Sequence, residues 1–241
     1  MERLVCLAIG YVCGLFQTGY VIGRMKGIDI REHGSKNAGT TNVLRTMGAK
    51  YGAMVLIGDI LKCIAAVLIC YLIFGKSCRD WMKLLQLYAG AGAILGHNYP
   101  FYMRFKGGKG IAATGGLVIS FGPLLTLFGV ITFFGTFFLT HYVSLGSILV
   151  YVGLMIECVV LGERGFFGFP PEIARPMLNE FYIVLFLLAV MAFVRHRENI
   201  KRLLSGTERK TYIKKKPELD VDKTEKTGSL DSGNTENTET K

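Results

Sequence analysis

The sequence predicts an all-α integral membrane protein with about seven transmembrane helices. Its 241 residues are 51% hydrophobic, and the apolar residues form long blocks that are nearly free of charge. A bilayer core about 30 Å thick is crossed by roughly 20 apolar residues in a helix, and several blocks approach that length. Lys and Arg residues collect between the blocks, as is typical of loops on the cytoplasmic side of a membrane.

Each apolar block predicts one span, except the block 111–140, which is too long for one ordinary span. That block contains Gly122-Pro123, and a proline removes a backbone donor and interrupts a helix, so we expect two shorter helices there. The first block lacks the basic start and small-residue cleavage site of a secretory signal peptide. The other predicted spans are 4–23, 51–74, 84–97, 145–161 and 181–194.

The basic regions predict the orientation of the chain. With seven spans, the loops 24–50 and 98–110, the link 141–147 and the segment after Val194 all fall on one side. A single helix over 111–140 would place the last region opposite the first two. The tendency of Lys and Arg to remain cytoplasmic therefore favours the extra reversal, with the N-terminus outside and the C-terminus in the cytoplasm.

The chain divides into a membrane domain, residues 1–210, and a charged tail, residues 211–241. After about Pro217 the sequence has almost no large apolar residue, which predicts disorder because too little surface can be buried to offset the ordering entropy. The run Lys214–Lys216 favours contact with anionic membrane lipids or a topology signal. The net charge of +10 therefore requires no nucleic-acid partner.

Several kinds of catalytic site are excluded by the pattern of residues. The six cysteines form no C-x-x-C pair and lie mainly in apolar blocks, and the four histidines lack spaced carboxylate partners, so we expect no metal and no disulfide framework. A G-x-S-x-G elbow and a reactive-cysteine arrangement are both absent. We expect no cofactor.

Two loops have the composition of phosphate sites. In the first, Gly34–Arg45, glycines, hydroxyls and amides surround one Arg with no acidic residue, and such donors suit an anion. The second ends in Lys106-Gly107-Gly108-Lys109-Gly110 before an apolar helix, where helix N-terminal amides favour a phosphate. Alternative interpretations are a capped polar turn for the first loop and a flexible connector for the second.

The other polar stretches are less specific. Ser144 in the 141–147 link is explained by a helix cap, and the segment after Val194 by a basic helix beside the membrane. If that segment is helical, His196, Asn199 and Arg202 lie three residues apart and share a face. Asp59 and Lys62 lie three apart in a predicted span, where charges usually pair, and we interpret them as an ion pair that supports the first loop. Glu157 has no explanation from the sequence.

Together these motifs resemble one family, the acyl-phosphate-dependent glycerol-3-phosphate acyltransferases of bacterial membranes, over about residues 1–210. The chain departs from the family pattern at Lys36, Ala38, Thr40 and His141. The motifs that carry the resemblance are Ser35-x-Asn37-x-Gly39-x-Thr41-Asn42-x-x-Arg45, Asp59-x-x-Lys62, Gly96–Pro100 followed by Lys106–Gly110, Tyr142–Leu145, and Arg195-His196-Arg197-x-Asn199-Ile200-x-Arg202.

The resemblance implies transfer of a fatty acyl group from acyl phosphate to the 1-hydroxyl of glycerol 3-phosphate, with cytoplasmic chemistry and seven spans. It also implies a functional link to a soluble enzyme that forms the acyl phosphate. Ser35, Arg45, His97 and His196 are the candidate catalytic residues, and the general base is His97, His196 or the substrate's own phosphate. The candidate substrate-binding residues are Asn37, Gly39, Thr41, Asn42, Lys106, Gly107, Gly108, Lys109, Gly110, Ser144, Asn199 and Arg202.

Three other functions fit the sequence less well. A transporter or channel for a phosphorylated solute would place polar residues deep in several spans, whereas here they concentrate in loops. A structural membrane protein does not account for two anion motifs. A CDP-alcohol phosphotransferase would need an Asp-rich metal motif, which is missing.

Overall fold

The computed structural model describes residues 1–213, 216–219 and 221, and this part of the chain is helical without strands. Three short 3-10 turns lie in the connections. The helices are α1 (Glu2–Gly14), α2 (Thr18–Met25), α3 (Thr40–Met47), α4 (Ala49–Phe74), α5 (Met82–Asn98), α6 (Ile111–Phe121), α7 (Pro123–Thr140), α8 (Val143–Glu163), α9 (Pro171–Arg195) and α10 (Arg197–Leu204).

Five helical segments of the described chain are long and apolar enough to cross a membrane: α1 with α2, then α4, α7, α8 and α9. The helices α5 and α6 have 17 and 11 residues, so α6 is roughly 16 Å long at 1.5 Å per residue. That length falls short of the hydrocarbon core. The prediction of an integral membrane protein agrees with these lengths, while the number of seven spans stays a prediction.

The first apolar block is not the single helix that was predicted. It breaks at Leu15–Gln17 between α1 and α2, and the carbonyls freed by the break are bonded by side chains from distant segments. Lys62 Nζ donates to the Phe16 carbonyl at 2.7 Å, and the Tyr102 hydroxyl donates to the Leu15 carbonyl at 2.7 Å. Such partners are what permit a broken helix at membrane depth.

The helices α1 and α5 are in backbone contact, which places the end of α5 beside this break. A Cβ added to Gly10 would lie 2.0 Å from the Ala89 carbonyl oxygen, and one added to Gly96 would lie 2.2 Å from that of Tyr11. Small residues commonly allow such close approach between membrane helices. His97, which follows Gly96, is therefore fixed against α1.

The predicted reversal in block 111–140 is confirmed. The helix α6 ends at Phe121, Gly122 has φ +133°, and Pro123 starts α7, where a proline costs no intrahelical hydrogen bond. The last long helix differs from its prediction, because α9 begins at Pro171 and not at residue 181. Its first turns were not predicted because polar residues interrupt the apolar pattern there, namely Glu172, Arg175, Asn179 and Glu180.

The four polar regions meet at one end of the helix bundle, as the charge pattern predicted. Asn37 contacts the glycine loop at the Gly107 carbonyl, and Lys109 of that loop donates to Asn199 after α9. Ser144 at the start of α8 donates to Glu208 at 2.8 Å. Which face of the membrane this end occupies stays a prediction.

Part of the predicted tail packs on this end of the bundle. The Thr211 N–H donates to the His141 carbonyl at 2.9 Å, and the Glu218 and Leu219 amides donate to the carbonyls of Arg45 and Thr46. Val221 is buried with Val43 of α3. These described residues of the tail therefore contact the bundle. The predicted disorder falls mostly on residues outside the described part of the chain and stays a prediction.

Candidate active site

The first loop is held in shape by its own two asparagines. The Asn42 side chain accepts from the Ser35 amide at 2.7 Å and donates to the carbonyls of Ile30 and His33. Asn37 accepts from the Gly39 amide at 3.0 Å, and Gly39 is the N-cap of α3. Asn42 is buried and fully engaged, so its observed role is to brace the loop and not to contact a ligand.

Two hydroxyls of this loop remain available. Ser35 is exposed and Thr41 half-buried, and neither hydroxyl has a hydrogen-bond partner within the described part of the chain. Thr41 lies in the first turn of α3, where backbone N–H groups also lack intrahelical partners. The donors that the loop presents are therefore these two hydroxyls and the α3 N-terminus.

The glycine loop differs from the predicted cradle of successive amides. The Gly107 amide donates to the Asn98 carbonyl at 3.1 Å and the Gly108 amide to the His97 carbonyl at 3.0 Å, so neither amide points at a ligand. The amides that have no intrahelical acceptor are those in the first turn of α6, which starts after its N-cap Gly110. An anion at this loop would meet α6, and not Gly107 or Gly108.

Glycines are needed in this loop because it lies directly against His97. A Cβ on Gly107 would be 2.0 Å from the His97 carbonyl oxygen, and one on Gly108 would be 1.9 Å from the His97 Nε2. On its other side the loop is held by Arg195, which donates to the carbonyls of Gly107 at 2.9 Å and Gly108 at 2.6 Å. The loop is thus clamped between α5 and the end of α9.

His97 belongs to a buried charged cluster. Lys62 Nζ lies 2.8 Å from the Asp59 carboxylate and 2.8 Å from His97 Nδ1, and Thr18 donates to Asp59 at 3.0 Å. An ammonium group can only donate, so His97 Nδ1 accepts and Nε2 carries the proton. The predicted Asp59–Lys62 pair is present, and it supports His97 and the α1–α2 break.

A single carboxylate, Glu208, joins the predicted binding residues of the third and fourth regions. It accepts from Ser144 at 2.8 Å, Asn199 at 2.7 Å and Arg202 at 2.7 Å, and its side chain is 5% exposed. Hydrogen bonds from Asn199, Arg202 and Ser144 outweigh burial, so the pKa of Glu208 is lowered. An anion is therefore stable among these three side chains.

Arg45 reaches the same region from α3. Its Nε donates to the Thr211 hydroxyl at 3.1 Å, and its Nη2 donates to the Arg209 carbonyl at 2.9 Å. The Nη1 group has no partner within the described residues. Arg45 thus has two unused donors, both on Nη1, beside Thr211 and the Glu208 cluster.

Lys109 and His196 lie between these groups. Burial and the nearby guanidinium groups of Arg202, Arg195 and Arg45 outweigh Glu208 and lower the pKa of Lys109 to about 8. Burial and the charge of Lys109 lower the pKa of His196 to about 4. His196 is therefore neutral at pH 7, and with Nδ1 placed 2.8 Å from the Ala192 carbonyl it keeps the lone pair on Nε2.

Arg202, Lys109 and Arg45 thus lie near one carboxylate at this end of the bundle, and Arg195 lies near Lys109. Sequence reasoning assigned Lys109, Arg45 and Arg202 to the site but gave no role to Arg195 or Glu208. The sequence signal for Glu208 was its position as one of few acidic residues within a basic segment. No group of three or more His, Cys, Asp or Glu that could hold a metal occurs among residues 1–213, 216–219 and 221.

Comparison with known proteins finds relatives that share one description. A sequence profile described as "Glycerol-3-phosphate acyltransferase" matches residues 4–206. A glycerol-3-phosphate acyltransferase of Bacillus subtilis is 38% identical over 205 residues, covering 85% of this chain and 95% of the relative. One from Halalkalibacterium halodurans is 39% identical over 218 residues, covering 89% and 98%.

Two solved structures share the fold. Both are crystal structures of an integral membrane glycerol 3-phosphate acyltransferase, one in a glycerol 3-phosphate form and one in a lysophosphatidic acid form. The first has a TM-score of 0.73 and 33% identity, covering 88% of this chain and 96% of its own. The second has a TM-score of 0.71 and 32% identity, covering 88% and 97%.

Proposed function

Because the chain belongs to the glycerol-3-phosphate acyltransferase family, we propose that it transfers a fatty acyl group from acyl phosphate to the 1-hydroxyl of glycerol 3-phosphate. The products are 1-acyl-glycerol 3-phosphate, a lysophosphatidic acid, and inorganic phosphate. The observation that carries this proposal is the cluster of Arg45, Arg195, Arg202 and a single carboxylate, Glu208, around Lys109. It suits a reaction between two phosphorylated substrates.

Glycerol 3-phosphate is held by the side chains around Glu208. The Nη1 donors of Arg45 and the ammonium of Lys109 bind its phosphate, and Ser35, Asn199 and Arg202 supply further donors. Ser144 contributes by holding Glu208, to which it donates its one hydroxyl proton. Guanidinium groups bind phosphate oxygens in pairs, which fixes the orientation of the glycerol. Holding both reactants in this way supplies much of the rate acceleration.

The acyl phosphate is held where the glycine loop leads into α6. Lys106 and the unpaired amides of the first turn of α6 receive its phosphate, with Gly110 allowing close approach. Gly107 and Gly108 contribute by positioning this loop on His97. The positive end of the helix stabilises the departing phosphate, and the acyl group is already activated, so no covalent enzyme intermediate is needed.

The proton of the glycerol hydroxyl has three possible acceptors. His97 is the weakest of them, because its Nδ1 is used by Lys62 and its Nε2 carries the proton. His196 offers a neutral ring whose Nε2 keeps a lone pair, although a pKa of about 4 makes it a weak base. The substrate's own phosphate is the remaining acceptor.

The reaction takes place at the cytoplasmic face of a bacterial inner membrane, where glycerol 3-phosphate is dissolved in water and the acyl chain remains in the bilayer. The basic loops at this end of the bundle support that orientation. A soluble enzyme that forms acyl phosphate is the functional partner that this donor requires. No metal or cofactor takes part in these steps.

The direct test is phosphate release by purified protein in lipid nanodiscs supplied with palmitoyl phosphate. We expect release that depends on glycerol 3-phosphate, and we expect none when palmitoyl-CoA replaces palmitoyl phosphate, because a thioester gives no departing phosphate. Formation of 1-acyl-glycerol 3-phosphate is followed in parallel by mass spectrometry.

Each alternative has a distinct result in the same assay. Acylation from palmitoyl-CoA would leave the family assignment intact but overturn the acyl-phosphate donor. No acylation from either donor by folded protein would overturn the reaction itself, and uptake of glycerol 3-phosphate into proteoliposomes would then favour a transporter.

The low pKa of Lys109 predicts a pH effect on glycerol 3-phosphate binding. Its ammonium is charged below about pH 8 and loses its proton above that value, whereas the second pKa of a phosphate monoester, near 6, leaves the substrate dianionic from pH 7 to 9. We expect the KM for glycerol 3-phosphate to rise roughly tenfold over this range, in inverse proportion to the charged fraction of Lys109.

Lys109→Arg is the matched variant for this effect, since a guanidinium stays charged to pH values above 12. Its KM is expected to be raised but to change little between pH 7 and 9. If the KM of both proteins depended on pH in the same way, a group other than Lys109 would be responsible for the change.

A further inference from the structure

A second cationic pocket lies at the same end of the bundle, outside the Glu208 cluster. It has a volume of about 620 Å³ and is formed by the 3-10 turn after α2, the first loop and the connection from α5 to the glycine loop. Its lining residues are Asp29, Arg31, Glu32, Lys36, Tyr102, Met103, Arg104 and Lys106. None of them contacts Glu208.

The charges of this pocket are not balanced within the protein. Arg31 is neutralised by Asp29, to which its Nε donates at 2.9 Å. The side chains of Lys36, Arg104 and Lys106 have no hydrogen bond or ion pair in the described part of the chain, and Glu32 is the remaining carboxylate. Three unpaired cations against one carboxylate around an open cavity attract an anion.

The backbone around the pocket is held in an unfavourable conformation. Lys36, Arg104 and Phe105 have φ values of +58°, +53° and +59°, a region that residues with a Cβ seldom adopt. Such conformations persist where the surrounding structure imposes them and often mark ligand sites. Two of these residues, Lys36 and Arg104, supply two of the three unpaired cations.

Exposed aromatic rings lie next to the pocket in the chain. Phe101 and Phe105 are each 58% exposed and Tyr102 is 49% exposed, while the Tyr102 hydroxyl donates to the Leu15 carbonyl at the α1–α2 break. Exposed aromatic rings next to a membrane-spanning segment are typical of the lipid headgroup region. A ligand in the pocket would therefore have its charge in water and its chain beside these rings.

We propose that this pocket is a second anion site, which binds the phosphate headgroup of a membrane-borne amphiphile, a lipid phosphate monoester. A monoester is favoured over a phosphodiester because it carries nearly two charges at pH 7 to meet three unpaired cations. The site lies apart from the cluster proposed to bind glycerol 3-phosphate, and it rests on Lys36 and Arg104, because Lys106 also borders the site proposed for acyl phosphate. The proposal holds whether or not the chain uses acyl phosphate as its donor.

The probe for this site is dodecyl phosphate, which has the headgroup and chain but no acyl group to transfer. Binding is measured by calorimetry with the full chain in phosphatidylcholine nanodiscs, with empty nanodiscs subtracted. We expect the double variant Lys36→Gln/Arg104→Gln to weaken one binding event roughly tenfold or more, as expected for loss of charge-assisted hydrogen bonds. Arg45→Gln should leave that event unchanged.

The matched control is Lys76→Gln/Arg79→Gln, which removes one exposed Lys and one exposed Arg from the connection between α4 and α5, and it should bind like the unmodified protein. Equal binding by the Lys36→Gln/Arg104→Gln protein would overturn the site. Loss of all binding in both this variant and Arg45→Gln would show one shared site and overturn a second one. Displacement by inorganic phosphate at equal concentration would overturn the lipid assignment in favour of free phosphate.

Discussion

Replacing Arg45 with Lys is expected to reduce kcat/KM for glycerol 3-phosphate roughly 100-fold or more. The guanidinium is held by Thr211 and the Arg209 carbonyl through Nε and Nη2, which leaves the two Nη1 donors for a phosphate, and a lysine cannot both make those bonds and bind the phosphate. Hydrogen bonds to charged groups are worth about 1.5–3 kcal/mol each, so loss of two accounts for the expected effect. Steady-state phosphate release over a range of glycerol 3-phosphate concentrations measures it.

Arg24→Lys is the control for this substitution, because Arg24 is exposed and lies at the end of α2. It should leave kcat/KM unchanged. If Arg45→Lys also retained the full value, Arg45 would have no contact with the substrate. An effect confined to the concentration dependence of acyl phosphate would assign Arg45 to the donor.

Much of the fold follows from the sequence because membrane helices must be long and apolar. The spans near α4 and α8 were predicted to within a few residues, and Gly122-Pro123 gave the reversal between α6 and α7. The break at Leu15–Gln17 was missed, because the donors that satisfy its carbonyls, Lys62 and Tyr102, come from distant parts of the chain. A pattern along one segment carries no information about such partners.

The members of the candidate site were easier to predict than their roles. Composition identified the glycine loop as a phosphate site, but the loop folds back so that the amides of Gly107 and Gly108 bond to α5. Asn42 has the chemistry of a ligand contact and instead braces its own loop. These differences depend on backbone angles and on the packing of α5 against α1, neither of which is visible in residue types and spacing.

Charge patterning predicted that the basic regions gather at one end of the bundle, but not how their charges are balanced. Glu208 lies within a basic segment, and only the folded chain shows that it collects donors from α8 and α10. The Glu208 carboxylate also explains why the side chains of Asn199 and Ser144 both donate toward one point. Described residues that follow it, Thr211 and Glu218, contact Arg45 or its backbone, so this part of the chain packs beside the candidate site.

Gly108→Ala is expected to lower kcat/KM roughly 100-fold, although it adds only one methyl group. That methyl would lie 1.9 Å from His97 Nε2, and the ring cannot simply move away, because Lys62 holds its Nδ1 at 2.8 Å. The loop must then shift, and with it Lys109 and the start of α6. A displacement of about 1 Å in a reacting group costs on the order of 100-fold in rate.

A double variant separates this packing effect from a loss of backbone freedom. Gly135→Ala serves as the control for the methyl group itself, since nothing lies within 4 Å of its Cβ position in α7, and it should be fully active. If the clash is the cause, Gly108→Ala should have little further effect in a His97→Ala background, because the ring that it strikes is gone. If the two substitutions instead lower kcat/KM by factors that multiply in the double variant, His97 and Gly108 act independently. The need for glycine at position 108 would then have a cause other than contact with His97.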